Sequence, residues 1–371
     1  MSQNRRLRVA ALAPYPEQGP STRFRLAQFV APLADRGIDV EIVPFVSSAD
    51  YTGLYASGGT LSKAALLVRG LSARRRVFSG PPPDLWLVHR ELAPLSAGWL
   101  ARALEASAAP WVFDFDDAIY LDPVGGSALL APFRRPEETT ARLCRGAAGV
   151  LAGNATLAAF AESARDEPKG VHHIPTVIDT DRFRPPEAAE ADSADPVLGW
   201  IGTHTTARYL THILPALEDL FSRIPFRLRV VSNRPPEWNG TTRLPVDFER
   251  WSPEREVAVT QELDVGLYPL EDTPWTRGKC GFKAIQYLAC GVPVVCSSVG
   301  VLPQVVPDGI AGVQVPTGGD WAAALEPLLT TPEARRRLGG LGRQHVVETY
   351  SVAAVVDRMA SIMRDASNPA R

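Results

Sequence analysis

The stretch TRGKCGFKAIQYLACGVPVVCSSVGVLPQVVPDGIAGVQVP, residues 276–316, is the most informative part of this chain. It begins with a loop that holds Lys279 and Lys283 around a flexible Cys-Gly pair. Residues 282–289 follow as a short helical segment. Gly291 is well placed to end that helix, since glycine readily adopts the left-handed conformation that often follows a helix. The stretch therefore predicts a cationic loop that leads into a helix with a defined end.

A strand pattern follows that helix. The run Pro-Val-Val-Cys from Pro293 is too short for a helix and rich in β-branched residues, which predicts a buried parallel strand. Residues 301–306 predict one more helical turn, and a turn at Asp308 leads to a last strand over residues 312–315. This alternation of helix and strand is typical of a doubly wound α/β fold.

The loop before the helix has the chemistry of an anion site. Backbone N–H groups near Gly281, the positive end of the helix dipole and the ammonium groups of Lys279 and Lys283 are expected to converge where a diphosphate fits. The alternative is a surface loop beside an ordinary α/β crossover, with both lysines solvated. The two interpretations stay open at this point because phosphate loops and plain loops share this chemistry.

The same residues resemble the donor-binding segment of retaining GT-B glycosyltransferases, the large glycosyltransferase family 4 type. Residues 289–295, ACGVPVV, match the end of the Glu-x7-Glu segment of that family. Gly278 and Gln286 stand where its two glutamates would be, so the chain resembles a branch with Lys-x3-Lys and a Gln or Glu before a Tyr. The resemblance implies that Gln286 hydrogen-bonds the ribose hydroxyls of a nucleotide, which an amide does as both donor and acceptor.

Composition limits the class of protein. A chain of 371 residues predicts two domains of about 150–200 residues each. A hydrophobic content of 45%, a charged content of 22% and a net charge of −2 predict a globular protein that does not bind nucleic acid. Four cysteines without framework spacing indicate a reduced, cytoplasmic chain. The first apolar run is too short for a signal peptide, and no stretch has the ~20 apolar residues of a membrane span.

Residues 1–184 predict a Rossmann-like, acceptor-binding domain. A first strand leads through a long loop into a helix, with Ser21 or Thr22 as the expected N-cap. Because ligands bind at the carboxyl ends of parallel strands, Arg23 and Arg25 are candidates for anion contacts. The alternative is a pair of exposed arginines at the start of a helix.

Charged side chains follow two later strands of this domain. His89 and Arg90 come at the end of one predicted strand, and Asp114, Asp116 and Asp117 follow the strand that begins at residue 111. Three carboxylates so close repel one another unless a metal, a substrate or arginine compensates them. By resemblance to relatives with a histidine near the sugar ring, Asp116 is the best candidate for an active-site carboxylate that orients the acceptor hydroxyl or accepts its proton.

Two other interpretations of the aspartates stay open. An Asp-x-Asp pair binds a divalent ion in sugar-nucleotide enzymes of another fold, but the GT-B resemblance implies that no metal is needed. The aspartates are equally able to cap a helix or to pair with Arg134 and Arg135.

Residues 61–77 have the pattern of a basic amphipathic helix that lies on anionic lipid, with Lys63, Arg69, Arg74 and Arg75 between apolar residues. The alternative is a partly buried surface helix. The family resemblance implies that many relatives act on lipid-linked acceptors, so peripheral contact with the inner face of the membrane is an expectation for this segment.

The second half of the chain repeats the strand–loop–helix order. Residues 185–196 are acidic and rich in small residues, which predicts a linker, and residues 197–349 predict the nucleotide-sugar-binding domain. Its first strand, residues 197–202, runs into the loop Gly202-Thr203-His204-Thr205-Thr206 and a helix over residues 207–220. This loop presents hydroxyl and N–H groups at a helix start, which suits phosphate, and lacks the G-x-G-x-x-G of an NAD site.

Three smaller predictions complete this part of the chain. Ser232, Asn233 and Arg234 follow the strand over residues 226–231, where they are expected to approach the base. His172 and His173 point to opposite sides of a strand and are expected to be structural. The GT-B resemblance implies that residues 350–371, with a helix over residues 351–365, cross back to the first domain.

The resemblance as a whole implies two doubly wound Rossmann-like domains that face each other across a cleft. It implies transfer of a sugar from a nucleotide-diphosphate sugar to a glycan, lipid-linked or small-molecule hydroxyl acceptor, with retention of configuration and with no cofactor besides the sugar nucleotide. The catalytic candidates are Asp116, Lys279 and Lys283. The donor-binding candidates are Gly202, Thr203, His204, Thr205, Arg208, Asn233, Lys279, Cys280, Gly281, Phe282, Lys283 and Gln286. The acceptor-side candidates are Arg23, His89, Arg90 and Asp117, and no metal ligand is predicted.

Two other functions remain in view. The missing motif glutamates favour a catalytically silent partner that binds a nucleotide sugar within a larger assembly. A nucleotide-sugar epimerase with the GT-B fold is the second alternative, although such an enzyme needs convergent acid–base residues where this chain has lysines and an amide.

Overall fold

The computed structural model describes residues 5–54, 60–94, 98–122, 135–167, 169–187, 195–236 and 242–368. The chain divides into two compact units. The first comprises Met1–Thr176 together with Val355–Arg371, and the second comprises Val177–Ala354.

The first unit is built on a parallel sheet with the strand order β2-β1-β3-β4-β5-β6. Its strands are β1 (Leu7–Ala13), β2 (Ile38–Pro44), β3 (Leu85–His89), β4 (Trp111–Phe115), β5 (Gly149–Ala152) and β6 (Val171–His173). Its helices are α1 (Pro20–Arg25), α2 (Val30–Ala34), α3 (Ser48–Leu54), α4 (Thr60–Ser79), α5 (Gly98–Glu105), α6 (Pro136–Gly146) and α7 (Ala155–Ser163). The central strands β3, β4 and β5 are buried at every residue, as expected of a parallel sheet covered on both faces.

The second unit has its own parallel sheet, with the order β12-β11-β10-β7-β8-β9. The strands are β7 (Val197–Ile201), β8 (Arg227–Ser232), β9 (Val246–Arg250), β10 (Val265–Tyr268), β11 (Val294–Ser297) and β12 (Gly312–Val315). The helices are α8 (Arg208–Thr211), α9 (Leu214–Phe221), α10 (Glu256–Gln261), α11 (Pro274–Arg277), α12 (Phe282–Ala289), α13 (Leu302–Val305), α14 (Trp321–Thr330) and α15 (Pro332–Thr349). The strand order reverses between β7 and β10, and in doubly wound sheets the ligand crevice lies at this switch point.

The stretch 276–316 folds as its pattern predicts. Helix α12 and strand β12 have the predicted bounds, and β11 begins one residue after Pro293. Gly281 and Gly291 flank α12 with φ angles of 69° and 76°, a region that glycine enters without strain. These local signals were sufficient because a glycine or a proline follows the end of each of these elements within three residues.

The predicted helix over residues 207–220 is wrong as a single element. The chain instead forms a 3₁₀ turn, His204–Thr206, followed by α8 and α9. Pro215 lies in the first turn of α9. Its ring has no N–H and clashes with the carbonyl four residues earlier, so a continuous helix would be broken at this point.

The helix after β1 is also interrupted, into α1, a 3₁₀ turn over Ala27–Phe29 and α2. The predicted N-cap at Ser21 or Thr22 is wrong, because Gly19 occupies that position and Pro20 begins the helix. The Thr22 hydroxyl donates instead to the Tyr15 carbonyl. Proline at the first helical position explains the earlier start, since its missing N–H is not needed there.

Two strands differ from the sequence-based expectation. Strand β4 continues through Phe115, so Asp114 lies within the sheet rather than beyond it. Strand β9 was not predicted. It is an outer strand whose residues are partly or fully exposed, and it therefore lacks the apolar run by which a buried strand is recognised.

The last helix of the described chain, α16 (Val352–Ser367), packs within the first unit from Val355 onward. Arg36 donates to the carboxylate of Asp357, and Arg364 donates to the Arg36 carbonyl. The helix thus closes the first unit although the residues just before it belong to the second, as the resemblance implied.

Helix α4 covers the segment expected to contact lipid, and side chains are described from residue 64 onward. Arg74 is buried there, and its guanidinium donates to the carbonyls of Ala13, Val43 and Leu92. Arg74 is therefore not part of a basic lipid-facing surface, whereas Val68 and Arg75 are exposed. No helix in the described residues combines the length and apolar character needed to cross a bilayer.

Tyr287 of α12 connects the two strands at the switch point. Its ring lies over Gly266 of β10, where an added Cβ atom would be 2.4 Å from a ring carbon. Its hydroxyl accepts a hydrogen bond of 2.8 Å from the backbone N–H of Ile201 in β7. Burial raises the pKa of this hydroxyl well above its usual range, which keeps it protonated. One side chain therefore joins α12 to both strands.

We expect Tyr287→Phe to lower the free energy of unfolding by about 1–3 kcal/mol, because it leaves the buried Ile201 N–H without an acceptor. Urea unfolding followed by circular dichroism measures the change. Tyr209→Phe is the matched control. It removes a hydroxyl that accepts from the side chain of Arg208, which water can replace, and the expected change is under about 0.5 kcal/mol. Equal effects of the two substitutions would contradict the role given to Tyr287.

Candidate donor and acceptor sites

The candidate donor site lies at the carboxyl ends of β7 and β10. Helix α12 begins here at Phe282, with Gly281 as its N-cap residue, and no side chain caps its N-terminus. The helix dipole favours negative charge at this end. Lys283 lies in the first turn of the same helix, and Lys279 lies in the loop that precedes it.

Lys283 lies between two aromatic rings. Its Nζ atom is 4.5 Å from the ring centroid of Trp200, at the end of β7, and 5.5 Å from that of Tyr268, at the end of β10. The hydroxyl of Thr206 lies 3.5 Å from the same atom, a long hydrogen bond. Lys283 is thus held in contact with the elements on both sides of the switch point.

Gly202 makes this position of the lysine sterically possible. A Cβ atom at residue 202 would lie 2.5 Å from Lys283 Nζ and 2.5 Å from the Trp200 ring. Any larger residue would displace the ammonium group or the indole. Gly202 therefore contributes to the predicted donor loop because its lack of a side chain leaves room for the Lys283 ammonium group.

The environment lowers the basicity of Lys283. Burial, with a smaller contribution from the nearby charge of Lys279, lowers the pKa of Lys283 to about 7. Lys279 Nζ lies 5.6 Å from the ring centroid of Trp275. The two lysines are close enough to repel each other, and an anion bound between them would relieve that repulsion.

The loop after β7 is ordered by side-chain hydrogen bonds. Asn233 Oδ1 accepts from the backbone N–H of His204 at 3.0 Å and lies 3.1 Å from His204 Nδ1. His204 Nε2 is hydrogen-bonded to the guanidinium of Arg234. The hydroxyls of Thr203 and Thr205 are 2.8 Å apart. The structure thus brings these predicted donor residues together and gives Asn233 a part in shaping the loop.

The other donor candidates have varied surroundings. Gln286 is buried, and its Nε2 atom donates to the Thr260 hydroxyl at 3.3 Å. Arg208 donates to the Tyr209 hydroxyl at 3.1 Å, Cys280 is buried and Phe282 is half-buried. The contact between Gln286 and the ribose stays a prediction. It requires the Gln286 amide to give up its hydrogen bond to the Thr260 hydroxyl and to bond the ribose instead.

The first unit holds a second polar cluster, at the carboxyl ends of β3 and β4. Asp114 is buried and receives hydrogen bonds from the guanidinium of Arg25, and its Oδ2 lies 2.6 Å from Nδ1 of His89. Arg25 also donates to the carbonyls of Ile174 and Pro175, at 2.9 Å each. Burial by itself raises the pKa of Asp114, but Arg25 and His89 outweigh it and lower that pKa.

Arg90 forms the exposed side of this cluster. Its Nε atom donates to Asp116 at 2.8 Å, and the same guanidinium is hydrogen-bonded to Asp117. Arg90 has a φ angle of 62°, and it is the only non-glycine residue in the described chain with positive φ. Such strain persists only where surrounding contacts hold it, and here the Arg90 N–H donates to the Asp114 carbonyl.

Asp116 is ionised at neutral pH. Burial raises its pKa, but the interactions with Arg90, His89 and Arg25 outweigh that effect and lower the pKa to about 2. A carboxylate of this acidity is a weak proton acceptor, since general bases work best with a pKa near the working pH. The geometry therefore suits Asp116 to orienting a hydroxyl rather than to removing its proton.

Several expectations for this cluster are corrected. Arg25 is 2% exposed and its donors are used within the fold, so it is not an anion contact. The aspartates pair with Arg25, His89 and Arg90, whereas Arg135 pairs with Glu138. Arg134 lies outside the described residues. Among the described residues no group of three or more His, Cys, Asp or Glu side chains is arranged to hold a metal ion.

The acceptor-side candidates do not all reach the surface. His89 is fully buried, and its Nε2 atom has no hydrogen-bond partner within the described chain. Arg23 is half-buried with its guanidinium 4.6 Å from the ring centroid of Phe24. Arg90 and Asp117 keep side-chain exposures of 20% and 26%, so these two are the candidates that a substrate can reach.

Sequence reasoning missed the aromatic residues of the donor site. Trp200 and Tyr268 each lie at or next to the end of a strand that flanks the switch point, which was the available signal. The buried pairing of Arg25 with Asp114 joins residues 89 positions apart, and no local pattern reveals such a contact.

Asp116→Asn tests the electrostatics of the first unit. A carboxyl with a folded-state pKa of about 2 stabilises the protein above the unfolded pKa of about 4, and this contribution is lost as the pH falls toward 2. We expect the substitution to lower the free energy of unfolding by about 2 kcal/mol at pH 7, with the difference shrinking between pH 4 and pH 2. Urea unfolding across this pH range measures it.

The control for this experiment is Asp219→Asn, at a helix position with 68% side-chain exposure. We expect it to change the free energy of unfolding by less than about 0.5 kcal/mol at each pH. A pH-independent effect of Asp116→Asn would count against an ionised, stabilising carboxylate at this position.

Known proteins resemble this chain in sequence. Residues 195–331, most of the second unit, match the family model described as Glycosyl transferases group 1. D-inositol 3-phosphate glycosyltransferase of Saccharomonospora viridis is 30% identical over 225 residues, which cover 54% of this chain and 51% of the relative. Alpha-maltose-1-phosphate synthase of Mycobacterium tuberculosis is 26% identical over 247 residues, covering 58% and 64%. The chain thus spans about half to two thirds of the relatives it matches.

Solved structures share the fold of the whole chain. Sucrose-phosphate synthase from Thermosynechococcus elongatus has a TM-score of 0.72 at 17% identity, covering 97% of this chain and 98% of that one. Anabaena HepE, solved in complex with UDP-glucose, has a TM-score of 0.67 at 13% identity, covering 96% and 99%. The expectation of a GT-B fold is therefore confirmed, and so is the resemblance to group 1 glycosyl transferases over residues 195–331.

Proposed function

We propose that this chain, whose second unit matches the group 1 glycosyl transferases, moves a sugar from a nucleotide-diphosphate sugar to a hydroxyl acceptor with retention of configuration. One observation carries the proposal. Lys279, Lys283 and the N-terminus of α12 lie together at the switch point, beside the hydroxyl-bearing loop after β7. Each of these groups interacts favourably with negative charge.

The chemistry of the proposed reaction uses this charge. Cleavage of the sugar–phosphate bond leaves additional negative charge on the departing diphosphate. The ammonium groups and helix N–H groups interact more strongly with that charge as it grows, so they lower the energy of the transition state more than that of the bound donor. Lys279 and Lys283 are catalytic residues in this sense.

In the first unit, we assign the acceptor hydroxyl to the cluster formed by Arg90, Asp116 and Asp117. Asp116 is an ionised hydrogen-bond acceptor, and Arg90 holds it in position at 2.8 Å. Charge-assisted hydrogen bonds of this kind are shorter and stronger than neutral ones. They would fix the position of the hydroxyl oxygen at this cluster.

The nucleotide and acceptor are proposed from the relatives. HepE binds UDP-glucose, and the matched relatives are named for inositol phosphate and maltose 1-phosphate. UDP-sugars are therefore the first donors to test, and D-inositol 3-phosphate is the first acceptor. The proposal needs no metal and no cofactor, because the lysines and backbone groups supply the positive charge.

The proposal also places the reaction in the cytoplasm, with peripheral membrane contact through the exposed residues of α4, such as Val68 and Arg75. We expect the protein to sediment with vesicles that contain anionic lipid and to be released by salt, because the attraction is electrostatic. Substitution Arg75→Glu should weaken sedimentation. Equal sedimentation with neutral vesicles would contradict an electrostatic contact.

The second candidate function is a catalytically silent nucleotide-sugar-binding partner. The observation in its favour is that Gly278 and Gln286 replace the motif glutamates and that Gln286 contacts Thr260 within the fold. An epimerase is less well supported. The described groups around Lys283 are aromatic rings, a threonine hydroxyl and a second lysine, which do not form an acid–base pair.

A thermal-shift screen with UDP-, GDP- and dTDP-sugars, each with and without Mg²⁺, tests donor binding. Ligand at 100 times its dissociation constant adds about 2.7 kcal/mol of stability, which raises the unfolding temperature by several degrees. We expect such a rise with one nucleotide class, without Mg²⁺, and its loss in Lys279→Ala. Lys169→Ala removes an exposed lysine of the first unit and should keep the rise.

Release of nucleotide diphosphate in the presence of the acceptor then separates the candidate functions. A transferase releases it, and proton NMR of the product reports the anomeric configuration. Donor binding without release from any acceptor would support the silent partner. A rise in unfolding temperature only with Mg²⁺ would argue against the metal-free proposal, and the absence of any rise would contradict donor binding itself.

A further inference from the structure

We propose that Lys283 is uncharged in the empty donor site and takes up a proton when the diphosphate binds. Donor binding would then be coupled to the protonation of a single lysine. This inference rests on the proposed function, because it assigns a charge state to the same site before and after the donor arrives.

The surroundings of Lys283 offer few hydrogen-bond acceptors to an ammonium group. An ammonium has three N–H donors, but the one hydrogen bond that Lys283 makes within the described residues is the 3.5 Å contact to the Thr206 hydroxyl. The rings of Trp200 and Tyr268 occupy two other sides, and the backbone of Gly202 lies close by. Lys283 stays partly exposed to solvent, and these groups cover part of its surface without offering the ammonium further hydrogen bonds.

No described carboxylate compensates the charge. The residues that face Lys283 from β7 and the following turn, Trp200, Gly202 and Thr206, do not ionise near neutral pH. From β10 the facing group is the phenol of Tyr268, and from the loop before α12 it is the ammonium of Lys279. The one charge that acts on Lys283 from the described chain is therefore repulsive.

Two effects compete at this position. The aromatic faces favour the charged form through cation–π attraction. Loss of hydration and the charge of Lys279 favour the neutral form. Loss of hydration and the charge of Lys279 together outweigh the cation–π attraction, and they lower the pKa of Lys283 to about 7. At pH 8, therefore, most molecules of the empty protein would carry a neutral amine here.

A diphosphate reverses this balance. Its negative oxygens supply the hydrogen-bond acceptors and the opposite charge that the empty site lacks, so the pKa of Lys283 rises on binding. The proton comes from the solvent and ends on Nζ, and no bond to the sugar changes in this step. The full positive charge of the site therefore develops only when the donor is in place.

The coupling between proton uptake and donor binding predicts how the affinity depends on pH. Below the free-state pKa of about 7, Lys283 is already protonated and the affinity for the donor should not depend on its titration. Above it, each rise of one pH unit should lower the affinity about tenfold, until the pH reaches the higher pKa of the bound state. The affinity therefore falls on the alkaline side only.

Isothermal titration calorimetry at pH 8, in HEPES and in Tris, measures the number of protons taken up, since the two buffers have different ionisation enthalpies. The probes are UDP-glucose, GDP-mannose and dTDP-glucose. Their diphosphates are fully ionised diesters, so their own charge is constant between pH 6.5 and pH 8.5. We expect the probe that binds to take up close to one proton at pH 8 and much less at pH 6.5.

Two variants separate Lys283 from other titrating groups. Lys283→Arg places a group that stays protonated at every pH, so it should bind the donor without proton uptake. Lys279→Ala removes the repulsive charge, so the pH above which affinity falls should move upward. Circular dichroism confirms folding of each variant, and the measurement on the unmodified protein tests the proposal even if a variant does not fold.

The outcomes distinguish this inference from the proposed function. Binding of a probe with no proton uptake at pH 8 and with constant affinity from pH 6.5 to 8.5 would overturn the inference and leave the donor site intact. Uptake that persists unchanged in Lys283→Arg would assign the proton to another residue and overturn it as well. Failure of all three probes to bind at either pH would contradict the proposed function itself.

Discussion

The packing of α12 against β7 and β10 is the interaction on which the second unit depends. Tyr287 lies over Gly266 and accepts the Ile201 N–H, and Lys283 lies one turn earlier on the same helix. Residues four apart share one face of a helix, so the contact that stabilises the fold also positions the lysine at the switch point. Any change that moves α12 would therefore alter the sheet and the donor site together.

The two polar clusters have opposite designs. In the first unit each carboxylate of the cluster meets a guanidinium or an imidazole, so Asp114 and Asp116 stay ionised although they are buried. In the second unit Lys283 meets rings and a like charge, so its ammonium is disfavoured. The carboxylates of the first cluster are paired within the protein, whereas Lys283 in the second unit lacks an opposite charge until an anion binds. That contrast is the physical basis for assigning the donor to the second unit.

Local signals predicted much of the fold and part of the site. Helix α12 and strands β11 and β12 follow from glycine, proline and β-branched residues at short range, and so does the cationic loop with Lys279. The predicted helix over residues 207–220 did not allow for Pro215, which breaks a continuous helix at this point. Strand β9 was missed because an exposed outer strand carries no apolar run.

The amino-acid order was sufficient for the α/β class, the glycine-bounded helix and the presence of two lysines at its start, since each depends on residues within one or two turns of the chain. The surroundings of those residues required the folded chain. Trp200 and Tyr268 flank Lys283 from strands far away in sequence, and Arg25 reaches Asp114 across 89 positions. Charge states depend on distance and on excluded water, which are properties of three-dimensional packing, so the acidity of Asp116 and the weak basicity of Lys283 emerge only once the sheets have formed.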